Sequence, residues 1–531
     1  MLYFIPAWYQ QNQWCENEQY WYVRRMHTEF DDTVKQIQLF HRNKAYPYQI
    51  MLLGYAPNFR HFLHRQGVLH APYWSCFDAI QEIRRKKAMV LSYHNMKWPA
   101  DTEFIYSPYA AIAMRKGEKY AQIEFGEDGN PIQIDMYENE VIKRRNIYDD
   151  RGFVSSTILY EAGTPVHQDY LTEDGIWKLR EYMQDGHVEI NPKKRDYRIV
   201  YRETEQTKPF SKVSYESMGQ VIYEVLLSYL EMTAKEDIFC VAMHERHAAL
   251  LQKALKGKKK ILSFFTDRYD LGKHPEVIEM IESADYVITD SKHNSNTIQE
   301  AIQHPISNLM DITPFDSRVD FGISQQLNVQ KILFPVDGIC DEVFEEAVQL
   351  LAGYLLTNDN ARVHLFTRQA DYDRKERLLQ QTRTYLAKAG FKGDWAKENE
   401  DKNVSENRLE ENNTVSQRFF VEQCVDELSV SKCIREQRIM IDMRKQPELY
   451  LQISCISTGI PQIVCTRTSY VEHKKNGLIL SDIKELPEAI DFYLKGLANW
   501  NEAMVYSYEL GKQFTTNRLL EDWKEVINTI G

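Results

Sequence analysis

Glycine is scarce in this chain, 22 of 531 residues, about 4% where globular proteins average about 7%. No two glycines are separated by a single residue, so no G-x-G-x-x-G exists, and no Gly-Lys is followed by Ser or Thr. Loops that cradle phosphates need glycine so that backbone N–H groups can approach the anion. The standard nucleotide-binding loops are therefore excluded. Cysteine is thinly spread: Cys15, Cys76, Cys240, Cys340, Cys424, Cys433, Cys455 and Cys465 form no C-x-x-C, which argues against a disulfide-stapled scaffold and against a zinc site. A reducing cytoplasm fits this usage, and neither a metal nor a cofactor is expected. No stretch approaches the roughly 18 continuous apolar residues of a membrane span. The apolar start, Met1 to Tyr9, lacks a basic segment and turns polar at Gln10, so it reads as a buried strand rather than a signal peptide. Positive charge is also in deficit, with 65 Lys+Arg against 77 Asp+Glu and a net charge of −12. Such a chain is repelled by nucleic acid and by anionic lipid. The short basic runs at 84–87 and 256–260 read as solvated segments.

What is present is an ordinary globular composition, 43% hydrophobic and 27% charged, in a chain long enough for several domains of about 100 to 200 residues. Apolar runs at 2–9, 50–55 and 87–91 read as strands. After residue 210, Met218, Val221, Ile222, Val225, Leu226, Tyr229 and Leu230 recur at helical spacing, and short strands at 238–243, 260–265 and 286–289 alternate with helices. This is the grammar of a parallel sheet covered by helices. Between these parts the rhythm changes. Gly117, Gly129, Gly152, Gly163, Gly175 and Gly186 recur about 11 to 12 residues apart with one double step, the spacing of an antiparallel meander. A second α/β region opens with the strand 331–335, continues through a helix at 342–356 and a strand at 362–366, and resumes with strands at 438–441 and 462–465. The polar stretch 394–417 reads as a surface loop.

The expected organisation is a discontinuous first Rossmann-like domain (1–104 and 193–315), an inserted β-meander (105–192), a second Rossmann-like domain (316–499) and a C-terminal helix (500–531) returning toward the first. Gly459-Ile460-Pro461-Gln462-Ile463-Val464, then Tyr470-Val471-Glu472-His473, then Lys475-Asn476-Gly477-Leu478-Ile479-Leu480 resembles, in order and spacing, the donor-side end of retaining GT-B glycosyltransferases. The resemblance implies an α/β, GT-B-like fold of two Rossmann-like domains facing a cleft, with the meander inserted in the first.

In those enzymes a Glu, seven residues and a second Glu precede the Gly-x-Pro turn, and the second carboxylate grips the nucleotide ribose. Here the corresponding residues are Gln446 and Ser454, and neither is an anion. The family also clamps the donor diphosphate with an Arg and a Lys after the first strand of this domain. From Ile332 to Ala361 there is no Lys, Arg or His, and Asp337, Asp341, Glu342, Glu345 and Glu346 stand there instead. Such a cluster is expected to repel a diphosphate. A degenerate GT-B chain of this length and charge, with an inserted meander, resembles the first accessory secretory protein family of the streptococcal and staphylococcal accessory Sec system. That resemblance implies a cytoplasmic, non-catalytic protein, peripheral to the membrane through the translocase. The implied partners are two companion accessory secretory proteins, the accessory Sec motor ATPase and a serine-rich-repeat adhesin carrying N-acetylglucosamine. An active or vestigial transferase and a plain carbohydrate-binding scaffold are the alternatives.

Candidate glycan or acceptor contacts lie where strands end, because open α/β sheets bind ligands at their carboxyl edges. His244, Arg246 and His247 follow one strand and Asp267 and Arg268 the next; a helix-capping polar turn is the competing reading for the first group. Trp8, with Trp14, Trp21 and Tyr22, could rim a sugar site, although aromatics are more often core residues.

Overall fold

The computed structural model describes residues 1–10, 13–15, 30–302, 305–397 and 417–531. Trp21, Tyr22 and most of the polar stretch 394–417 lie outside the described residues. The chain divides into two compact units, one of Met1–Asp290, Asn294–Asp311 and Val526–Gly531, the other of Ser291–His293 and Ile312–Glu525.

The first unit is built on a seven-stranded parallel sheet. Its spatial order is Leu309–Asp311, Tyr286–Thr289, Lys259–Phe264, Ile238–Ala242, Leu2–Ile5, Tyr48–Leu52, Tyr73–Ser75. Its central strands, LYFI and IFCVA, are buried at every position, as continuous apolar runs must be when both faces are covered. Helix Met218–Leu230 buries the apolar face that its spacing predicts. Helix Asp32–Asn43 begins where the Asp31 carboxylate accepts from the backbone N–H groups of Thr33 and Val34 at 2.9 and 3.2 Å, which satisfies two of the donors that every helix start leaves open.

Against this sheet stands a ten-stranded antiparallel one, running hairpin by hairpin from Thr102–Tyr106 to Val188–Ile190 and closed by Ser214–Tyr215. The six glycines that mark its turns all adopt φ between 74° and 86°, where a side chain would be strained. Tyr170, Leu179, Val188 and Ile190 join the core of the parallel sheet, while Ala113, Ala121, Ile123 and Ile134 form a separate small core.

Beside that apolar contact, the seam between the two sheets carries a set of polar and charged pairs. Arg60 bonds Asp150 at 2.5 Å and Asp149 at 3.3 Å, and Arg151 spans Asp149 and Asp78 at 2.7 Å each. Lys178 reaches Glu82 at 2.7 Å, and the Gln81 amide donates to the carbonyls of Ser155 and Leu171 at 2.8 and 2.6 Å. Burial opposes the charge on Arg151, yet Asp78 and Asp149 outweigh it and hold the guanidinium above its ordinary range.

One expectation is corrected here, and one element is new. Residues 87–91 are not a strand: Val90 is 91% exposed. This segment straps onto the meander through side-chain and carbonyl acceptors, Met89 N–H to Asp150 O at 2.7 Å and Leu91 N–H to Asn130 Oδ1 at 2.9 Å. The third strand is instead Tyr73–Ser75, an edge strand too short to read from periodicity. A two-stranded ribbon, Asp196–Tyr201 with Thr204–Pro209, had no expectation at all; it buries Tyr197, Ile199 and Tyr201 in the first core.

The second unit carries a six-stranded parallel sheet ordered Phe419–Gln423, Ala361–Thr367, Gln330–Pro335, Ile439–Asp442, Gln462–Val464, Gly477–Ile479. Helix Leu449–Thr458 ends at Gly459 with φ 75°, and helix Ala498–Gly511 lies close enough that a Cβ at Gly459 would meet Met504 Cγ at 2.7 Å. No helix among the described residues is long and apolar enough to cross a membrane.

Removing one partner of a buried ion pair strands the other charge. Arg151→Met is therefore expected to lower unfolding stability by about 3–5 kcal/mol in urea titrations, whereas Arg84→Met, which breaks the exposed pair with Glu205, should change it by less than about 1 kcal/mol. Equal effects would show that the seam is not what holds the meander.

Candidate functional site

Numbering each sheet's strands in chain order, the first sheet reads 3-2-1-4-5-6-7 and the second 3-2-1-4-5-6. In both, the strand order reverses between the first and fourth strands, which opens a crevice at their carboxyl ends. The sequence candidates fall at these two places.

In the first unit, Trp8 and Tyr9 follow strand Leu2–Ile5, and His244 to His247 follow Ile238–Ala242. Trp8 is buried against Phe59 and Phe62, and its indole N–H donates to Asp31 Oδ1 at 2.9 Å. It is a core residue, not a sugar-stacking rim. Arg268 is held by hydrogen bonds to Met243, Asp31 and Asp32. Its Nε donates to Met243 O at 2.9 Å, and its terminal nitrogens reach Asp32 at 2.5 and 3.0 Å and Asp31 at 3.2 Å. Ser263 Oγ donates to the same Asp32 carboxylate at 2.8 Å. The guanidinium has little left to offer a ligand.

His247 is fully buried, with Nε2–H donating to Ala242 O at 2.7 Å and Nδ1 accepting from the Tyr9 hydroxyl at 2.9 Å. His244 caps helix Glu245–Ala254, its Nδ1 accepting from Arg246 N–H at 3.0 Å. The capping reading of this group is the one the geometry bears out. Arg246 lies over the Trp14 ring at 5.7 Å, and Tyr9 meets Trp14 edge-on at 5.5 Å. Asp267 is exposed in the turn after Lys259–Phe264. Of the six candidates, Asp267 is exposed, His244, Arg246 and Arg268 are half-buried, and His247 and Trp8 are buried.

These environments fix the charge states. Burial, reinforced by Arg268, lowers His244 to about 4, and burial with His244 beside it lowers His247 to about 3. Both are neutral near pH 7, and neither is poised as an acid or base there. Burial and then Asp32, opposed by Arg268, raise Asp31 to about 6.

In the second unit the acidic stretch is not left unopposed. Asp337, at the end of strand Gln330–Pro335, accepts from Arg374 at 2.8 Å, from Thr367 Oγ1 at 2.7 Å and from Arg368 N–H at 2.7 Å. Arg444 grips Asp442 through two bonds of 2.8 and 2.7 Å and reaches Asp337 O at 3.3 Å. Arg368 pairs with Glu448, and Glu345 is matched by Lys388 at 2.8 Å. The expected repulsion thus needs correction: cations do converge at this edge, drawn from beyond the window 332–361, but each is bound to a carboxylate of the chain itself. Gln446 is exposed in the connection before helix Leu449–Thr458, and Ser454 lies within that helix, its hydroxyl donating to Tyr450 O at 2.6 Å.

Sequence reasoning missed Asp31, Asp32, Arg368, Arg374 and Arg444. Asp31-Asp32 ahead of an amphipathic stretch is a legible helix start; nothing local links it to Arg268.

The histidines give a pH signature. Their folded-state values lie below the ordinary 6.5, so the unfolded chain binds the extra protons and stability is withdrawn as pH falls through 6.5. Asp31, raised from 3.8 to about 6, acts oppositely, its contribution falling as pH rises across that interval. His247→Gln, which can keep both hydrogen bonds, is expected to reduce the acid-side stability loss by about 2 kcal/mol between pH 6.5 and about 5, read from urea unfolding at each pH. An unchanged slope would mean that His247 is not held neutral.

Known proteins resemble this chain over its whole length. The family model described as accessory Sec system protein, accessory secretory protein 1, matches residues 1–529. A member of that family from Streptococcus gordonii is 34% identical over 531 residues, covering 99% of this chain and 98% of the relative. The crystal structure of accessory secretory proteins 1, 2 and 3 of Streptococcus pneumoniae contains a chain with TM-score 0.78 and 30% identity, covering 100% of this chain and 99% of that one. The pneumococcal O-GlcNAc transferase GtfA, solved with UDP and GlcNAc, superposes with TM-score 0.72 at 10% identity over 100% and 98% of the two chains, a likeness of fold alone. With two parallel sheets, an antiparallel insertion and these whole-length matches, the chain belongs to the accessory Sec system family of accessory secretory protein 1, built on a GT-B glycosyltransferase-like fold.

Proposed function

We propose that this chain is a non-catalytic, glycosyltransferase-like component of the accessory Sec export system, helping to recognise a glycosylated serine-rich-repeat adhesin and deliver it to the translocase. The observation that carries the reading is the internal pairing at the carboxyl edge of the second sheet, where Arg374, Arg444 and Arg368 are matched by Asp337, Asp442 and Glu448. A diphosphate entering there would have to displace the chain's own carboxylates, at contact distances where each charge-assisted pair is strong. Gln446 and Ser454, at the positions where the transferase pattern has glutamates, supply no anion for a ribose.

The proposed partners are the two companion accessory secretory proteins, in keeping with the three-protein assembly of the pneumococcal relative, together with the motor ATPase and the N-acetylglucosamine-bearing adhesin. The proposed setting is the cytoplasm, peripheral to the membrane through the translocase. Asp267, which is exposed, and His244 and Arg246, which are half-buried, are the proposed acceptor contacts. The domain reading is likewise ours: 1–104 and 193–315, 105–192, 316–499, and 500–531. The same three arginines favour a vestigial transferase as the second reading, since their guanidiniums are the groups a nucleotide would seek.

Calorimetry with UDP and with UDP-N-acetylglucosamine separates the two. No saturable heat is expected up to about 1 mM ligand, and no sugar release. Micromolar binding accompanied by hydrolysis would establish the transferase reading instead. Co-expression with the two companion proteins is expected to yield a stable complex; its absence would remove the export role.

A further inference from the structure

Two thiols and a carboxylate meet at the edge of the second sheet. Glu422 lies on the edge strand Phe419–Gln423, and Cys424 follows it, fixed by its N–H to Thr367 O at 2.9 Å. The chain then turns into helix Glu427–Glu436, where Asp426 accepts from Ser429 N–H at 2.7 Å and the Ser429 hydroxyl closes the cap. This capped turn brings Cys433 back to the strand end. Glu422, Cys424 and Cys433 each offer a ligand atom, and these atoms all lie within 4.8 Å of one another. Cys424 and Cys433 are buried, while the Glu422 side chain is 35% exposed. Behind the carboxylate, His364 Nδ1 lies 2.9 Å from Glu422 Oε1, and its ring stacks on Phe420 at 5.2 Å.

We propose that Glu422, Cys424 and Cys433 hold a zinc ion, with solvent as the fourth ligand on the Glu422 side. Tetrahedral zinc takes thiolate sulfur at about 2.3 Å and carboxylate oxygen at about 2.0–2.2 Å, which sets neighbouring ligand atoms roughly 3.4–3.8 Å apart. The donors, within 4.8 Å of one another, stand near that spacing. Thiolate ligands select zinc over magnesium or calcium. Three anionic ligands leave one excess negative charge on the site, and Lys331, paired with Glu436 at 2.9 Å, lies within electrostatic reach of Cys433. The His364–Glu422 bond is the outer hydrogen bond that orients a metal-binding carboxylate. With no cation, the hydrogen bond with Cys424 and then burial hold the Cys433 thiol well above its ordinary range. Zinc entry exchanges the thiol protons for the metal, so affinity rises with pH. The absence of C-x-x-C hides this arrangement, because the ligands are joined by a strand end and a helix rather than by one tight loop.

The test is metal analysis of the full-length chain purified under reducing conditions. About one zinc per chain is expected, and titration of the zinc-stripped chain with cadmium should produce ultraviolet thiolate-to-metal charge-transfer absorption saturating at about one equivalent. Cys424→Ser and Cys433→Ser should abolish that absorption, Cys340→Ser, a change at an exposed cysteine, should leave it, and His364→Gln should weaken binding by about 10- to 100-fold. No absorption in the unaltered chain, its persistence in Cys433→Ser, or recovery of a Cys424–Cys433 disulfide in place of metal would overturn the proposal. Should the serine variants fail to fold, the cadmium titration of the unaltered chain decides alone.

Discussion

The first unit hangs on a buried guanidinium. Arg151 is among its largest fully buried side chains, enclosed between Asp78 on the Rossmann-like side and Asp149 at the end of a meander strand. Taking such a charge out of water is expensive, and only well-aligned carboxylates at hydrogen-bond distance can offset it. The contact is therefore demanding in direction and intolerant of sliding. Arg60, Lys178 and Gln81 add further directional bonds along the same seam. Apolar packing alone would let a ten-stranded sheet settle in several registers against a helical layer. A seam of paired charges admits one, because any shift leaves an ion without its partner.

The same economy of charge governs both crevices. At the first, two adjacent carboxylates, Asp31 and Asp32, share one guanidinium, Arg268, and the aspartate that caps a helix also receives the Trp8 indole. At the second, three arginines meet three carboxylates. In each place the charged side chains are paired with one another. The topology that makes each crevice follows from strand order, and the ion pairs at its edge belong to the scaffold.

The motif that carries the resemblance to glycosyltransferases has an explanation in packing. A Cβ on Gly477 would stand 2.3 Å from Gln462 O, and one on Gly459 would stand 2.7 Å from Met504 Cγ. Asn476 is buried, donating to Tyr470 O at 2.7 Å and accepting from Glu472 N–H at 2.8 Å. The two glycines are required by close approach of neighbouring segments, and Asn476 is held by its hydrogen bonds. The motif thus has a role in the packing of the second unit.

Local pattern was enough for the elements whose signal lies within a few residues. Continuous apolar runs, the one at 87–91 excepted, announced the buried parallel strands, the 3.6-residue spacing of Met218 to Leu230 announced its helix, and regularly spaced glycines announced a meander because glycine takes up positive φ most readily. The ribbon at 196–209 and the edge strand Tyr73–Ser75 escaped, being short and stabilised by what they pack against. Charge composition read along a window misjudged the second crevice: Asp337 is matched by Arg374, and Arg444 reaches across from a different strand end. Contacts such as these join residues distant along the chain, and a Coulomb interaction depends on separation in space. Sequence by itself thus determined the layers, the turns and the family pattern. Only the tertiary structure decided which charges are spent holding the protein together, because that is settled by where folding brings each one to rest.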